Sequence, residues 1–195
     1  MNKNKTKQMV TTALLMAIIV VLQLLAGYIK IGALPISLVL LPIVLGAAMY
    51  GPKTGALLGG VFGAIVYICC VLGIDLGGAM VLSANPWLCF IVVMGKGILA
   101  GFLSGIVYKV LKNKNRYVAM LVSAIVCPVV NTGIFIGCMF LFFDGVLNTW
   151  ADAAGAANAY VYVLSGLVLM NFVPELIINI LFSPASARIT KMVKN

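Results

Sequence analysis

Apolar residues fill this chain in long blocks, not at the alternating positions of a half-buried strand or the one-sided stripe of a soluble helix. Six blocks emerge: 8–27, 34–50, 54–73, 86–111, 117–143 and 160–182. A helix rises 1.5 Å per residue, so about 20 apolar residues cross a hydrocarbon core of about 30 Å. The pattern predicts an all-α integral membrane protein with six transmembrane helices, occupying residues 1–195 as a single membrane domain. The second block is the shortest and contains Pro35 and Pro42. The first follows Lys3, Lys5 and Lys7, and it is long enough to read as a span and not as a cleavable signal.

Charge tests the segmentation. With the N-terminus inside, eleven of the thirteen basic residues fall in inner segments: Lys3, Lys5, Lys7, Lys53, Lys109, Lys112, Lys114, Arg116, Arg188, Lys191 and Lys194. Lys30 alone lies in an outer loop, and Lys96 lies within a span. Three of the four acids, Asp75, Asp144 and Asp152, fall outside. This alternation predicts that both termini are cytoplasmic. The formal charge of +9 therefore reads as loop orientation, not as a nucleic-acid surface. Composition agrees: 64% of residues are hydrophobic and 9% charged, against about 25% charged in a soluble domain. The chain leaves little room for a soluble catalytic domain. It has no histidine, and its five cysteines make no CxxC pair, so neither a zinc site nor another cofactor is expected.

Polar residues inside the blocks are the candidates for function. Lys96, in "VVMGKGILAG", lies about 15 Å below Pro86, near mid-membrane. Burying it alone costs at least about 2.5 kcal/mol. It calls for an anionic ligand group, for Glu175, or for a position closer to the interface than the count implies. Glu175 is the one acid within a span, and Asn171, Glu175 and Asn179 recur every four residues on one face. Glu175 and Asn179 read as a polar seam between helices. Asn131 and Asn171 suit a ligand headgroup as donors and acceptors, and they suit interhelical contacts equally. Asn85, Trp87 and Tyr28 sit at the outer rim with Ser83. Trp87 and Trp150 fit an interfacial aromatic belt as well as ligand stacking. Gly51, Gly55, Gly59 and Gly63, and then Gly97, Gly101 and Gly105, form two rows spaced by four. Each row packs a neighbouring helix or forms a docking surface.

Three stretches in order resemble the substrate-binding S components of energy-coupling factor (ECF) vitamin transporters. They are "LPISLVLLPIVLGAAMYGPKTGALLGGVFGAI", "GKGILAGFLSGIVYKVLKNK" and "PVVNTGIFIGCMFLFF". Ala13 and Ala17 match the Ala-x-x-x-Ala pattern that this family uses for docking. The resemblance implies a binding subunit in a prokaryotic plasma membrane, working with a T component and two cytoplasmic ATPases. It implies no catalysis by the chain itself, which carries no GxxxxGK[ST] phosphate loop. The ligand implied is a water-soluble vitamin, and a central lysine favours the carboxylates pantothenate and folate over riboflavin. The competing reading is a stand-alone six-helix secondary transporter or channel using Lys96 and Glu175.

Overall fold

The computed structural model describes residues 3–26, 30–31, 34–35 and 38–194. Helix α1 (Lys3–Ala26) leads to a short antiparallel ladder, β1 (Lys30–Ile31) with β2 (Leu34–Pro35), pairing Lys30 with Pro35. Then come α2 (Leu40–Tyr50), α3 (Pro52–Val71), α4 (Leu76–Ala84), α5 (Pro86–Leu111), α6 (Arg116–Phe142) and α7 (Asp144–Ala153). The last helix is continuous. It starts as α8 (Ala159–Tyr162), widens into a π-helical stretch (Val163–Phe172) and returns as α9 (Val173–Lys194).

Five of these helices are long and apolar enough to cross a membrane: α1, α3, α5, α6 and the continuous last one. The protein is therefore an all-α, multi-pass membrane protein. The second expected span, 34–50, lies partly outside the described residues. Its helical part, α2, has 11 residues and a length of about 16 Å, which does not cross the core by itself. Eight of those residues are buried, so α2 serves as an internal packing element. Residues 34 and 35 belong to the ladder, and the helix begins only at Leu40. The third expected span starts earlier than its block, at Pro52. There Gly51 takes φ +96°, a conformation only glycine adopts readily, and Pro52 starts the next helix with its φ already fixed.

The two glycine rows face each other. A Cβ placed on Gly59 would meet the Gly97 carbonyl oxygen, and one on Gly55 would meet that of Gly101. One on Gly63 would lie 2.6 Å from the Val93 carbonyl oxygen. The rows are thus an internal α3–α5 seam, where small residues let two backbones approach closely. A Gly59→Val substitution should lower stability in detergent by about 1–3 kcal/mol or more, because backbone atoms cannot yield as a side chain would. A melting temperature equal to wild type would show that the seam is looser than described.

Prolines inside helices are accommodated locally. Pro184 of α9 cannot donate to the Ile180 carbonyl, and the Ser183 hydroxyl donates to it instead at 2.8 Å. Pro174 is the second residue of α9, where the π register gives way to α. Having no N–H, it leaves a carbonyl of the preceding turn without that donor. At one end of the bundle α4 and α7 meet. The Trp150 indole N–H donates to Met80 Sδ at 3.2 Å, and its ring lies 6.3 Å from that of Tyr162. Trp150 is 3% exposed and belongs to this cap. Trp87 is 80% exposed, as a belt residue is. Tyr160 is exposed and stacks on Phe140 at 5.1 Å.

Candidate functional site

Five long helices and the turn before α4 enclose a cavity of about 60 Å³. Gln23 of α1, Phe62 and Val66 of α3, Lys96 of α5, Asn131, Thr132 and Phe135 of α6, Leu167 and Asn171 of the π stretch, Glu175 of α9 and Asp75 all line it. A lobe of about 30 Å³ adjoins it, sharing Val66, Asp75, Lys96 and Phe135 and reaching Cys70 and Cys89. All five cysteines are free.

Of the residues singled out in the sequence, Lys96, Asn131, Asn171 and Glu175 come together here, from three separate helices. Lys96 Nζ lies 4.6 Å from the Phe135 ring centroid and 6.0 Å from that of Phe62. The ring quadrupole attracts a cation at such distances, by about 2 kcal/mol or more once both are desolvated. Asp75 and Glu175 both act on the ammonium electrostatically. Among the described residues neither forms an ion pair with it within 4.0 Å. The lysine is thus held between aromatic faces, with two acids further off. Sequence reasoning weighed an anionic ligand, Glu175 or a shallower position and did not weigh aromatic contacts, which appear only once α3, α5 and α6 are assembled.

Two polar atoms on the wall have no hydrogen-bond partner: Asn131 Oδ1 and Glu175 Oε1. Their residues are 7% and 2% exposed. A buried polar atom without a partner costs about 1–3 kcal/mol. Such atoms beside a lysine make a surface complementary to a ligand that carries both donors and acceptors. One turn beyond the cavity, Asn179 donates its amide to the Glu175 carbonyl at 2.8 Å, and its own Oδ1 is unpartnered. The π stretch shifts the register of the helix that carries Leu167 and Asn171, and interruptions of this kind recur at functional sites.

Asp75 is the residue that charge counting missed. It is 5% exposed. Its Oδ1 accepts from the Gly78 N–H at 2.9 Å and caps α4, while the carboxylate also forms cavity wall. The local signal was an aspartate three residues ahead of a backbone N–H at a helix start. Gly73 at φ +69° ends α3, and the Ile74 and Asp75 N–H groups fold back onto the Cys69 carbonyl at 2.9 and 3.2 Å. That turn brings Asp75 inward. Asn85 and Trp87 do not line the cavity. Asn85 caps α5, its Oδ1 accepting from the Leu88 N–H at 3.1 Å. Tyr28 lies outside the described residues. Ala13 and Ala17 are exposed on α1, and Ala13 lines a surface groove shared with Lys5, Thr12 and Thr54.

A multi-pass helical protein with a polar cavity among its spans has the form of a membrane-embedded binding subunit. The chain belongs to the family of substrate-specific components of ECF transporters, whose description matches residues 7–186. It is also similar to the pantothenic acid transporter PanT of Lactococcus lactis subsp. cremoris strain MG1363. The two are 27% identical over 198 residues, covering 95% of this chain and 94% of that protein. Proteins of this family are non-catalytic transport subunits of the plasma membrane. They bind a small organic molecule such as a vitamin, and they act with a T component and two ATPases.

Proposed function

We propose that this protein is the pantothenate-binding subunit of an ECF importer, with Lys96 receiving the ligand carboxylate. The observation that supports this most is the Lys96 ammonium on the cavity wall, held by Phe135 and without an ion pair within 4.0 Å among the described residues. Asn131, Asn171 and Glu175 then meet the hydroxyl and amide groups of pantothenate, whose donors and acceptors alternate along a short chain. Similarity to PanT supports the same choice. Isothermal titration of the purified protein should give saturable binding of pantothenate, with folate and riboflavin silent. Saturable binding of either of those, or no binding of pantothenate, would refute the assignment.

In this reading residues 1–195 form one membrane domain with six transmembrane segments, the second including α2. Both termini face the cytoplasm. Ala13 and Ala17 meet the T component, and two ATPases drive the cycle. Geometry supports the orientation: Lys53, Lys109 and Lys112 line one groove, and Lys5 shares another with Thr54. Basic loops thus gather at one end. In a cysteine-free background, Asp144→Cys should label with an impermeant reagent in whole cells and Lys114→Cys should not. The opposite pattern would invert the topology.

A further inference from the structure

At the end of the molecule that carries the basic loops, a groove of about 410 Å³ opens between the end of α2, the start of α3 and the last turns of α5. Its three charged residues are all cations: Lys53, Lys109 and Lys112, each exposed. Among the described residues no acid lines it. The remainder of the wall is small or apolar, including Ala47, Met49 and Gly105. The Tyr50 hydroxyl on the same wall has no hydrogen-bond partner. The first turn of α3 begins at this groove, with Pro52 at its start, and the positive end of a helix dipole favours an anion. Three exposed lysines beside an apolar wall, with no acid among the described lining residues, make a surface that is both positive and amphiphilic.

We propose that this groove binds the phosphodiester headgroup of an anionic phospholipid. The lysines take the phosphate, and the half-buried Tyr50, Gly51 and Pro52 take the glycerol and first methylenes. A phosphodiester is favoured over a carboxylate-bearing protein segment because the groove is amphiphilic along its depth and lies at the end of the spans, at headgroup level. Basic pockets between helices at this level bind such headgroups, and each lysine is worth about a fivefold change in affinity. Lipid held here would fasten the α2–α3 turn to the end of α5, next to the glycine seam.

The test uses the full chain purified in neutral detergent, with native mass spectrometry and thermal melting as readouts. Phosphatidylglycerol should remain bound and raise the melting temperature, more than phosphatidylcholine does, and added salt should weaken the effect. In Lys53→Gln/Lys109→Gln/Lys112→Gln the affinity for phosphatidylglycerol should fall by about two orders of magnitude, at about fivefold per lysine. The charge-matched control Lys114→Gln/Arg188→Gln/Lys191→Gln should retain it. All six positions are exposed, and unchanged circular dichroism of both variants confirms that they fold. An equal shift with phosphatidylcholine, an equal loss in the control, or full stabilisation by inorganic phosphate alone would each overturn the lipid site. So would an unchanged lipid response in the groove variant accompanied by loss of partner subunits on copurification, which would make the groove a protein dock.

Discussion

Lys96→Met should bind pantothenate about 2–5 kcal/mol more weakly than wild type, as expected when one side of a desolvated ionic contact is removed. Methionine keeps an unbranched apolar stem and removes the ammonium, together with its contact to the Phe135 ring. Stability without ligand should hold or rise. Among the described residues no carboxylate sits within 4.0 Å of Nζ to be stranded, and desolvating an ammonium is costly. The contrary result is distinguishable. If ligand-free Lys96→Met melts lower and Lys96→Met/Glu175→Gln recovers the difference, the lysine serves Glu175 and not the ligand. Unchanged affinity together with unchanged melting would remove Lys96 from both roles.

Ala17→Trp should abolish copurification with the T component and the ATPases, while pantothenate titrates normally on the isolated chain. Ala17 lies on the exposed face of α1, one turn from Ala13. The chain itself therefore has room for an indole there, whereas a helix docked closely on that face does not. A complex recovered at wild-type yield would show that α1 docks elsewhere, or not at all. Loss of ligand binding in the isolated variant would mean that the substitution had damaged the fold and not the interface.

How far the sequence could be read depends on how local each signal is. The helix Pro86–Leu111 is visible residue by residue, because Asn85 and Pro86 mark its start and the basic turn marks its end. The glycine rows were equally visible, but their partner was not. Only when α3 and α5 run antiparallel does Gly59 fall against Gly97, and four-residue spacing is the same for a seam and for a docking face. Asn85 shows the reverse case. Counted by depth it sat at a ligand rim, yet an asparagine directly before a proline at a helix start is first of all a cap. Asp75 was counted only as an outer-loop acid, because charge counting gives the side of the membrane and not the direction in which a side chain faces. The αL glycine at 73 turns that loop back onto the protein. The π stretch left no trace in the sequence, since the apolar composition of Val163–Phe172 suits an α-helix equally well, and its register is set by the packing around it.

The size of the central cavity bears on how quickly a nutrient can be captured. Ligand sites usually enclose about 300 Å³ or more, and this one encloses about 60 Å³. On the proposed function a cavity of this size must widen to admit a vitamin, by movement of the turn at Asp75 or of the helix that carries Asn171. If the open form makes up a fraction f of molecules, the apparent dissociation constant rises by 1/f, and association falls by the same factor below the encounter rate. Because both change by the same factor, the dissociation rate does not depend on f: scarcity of open molecules slows capture, and the hold on a captured vitamin is set by the contacts inside the closed site.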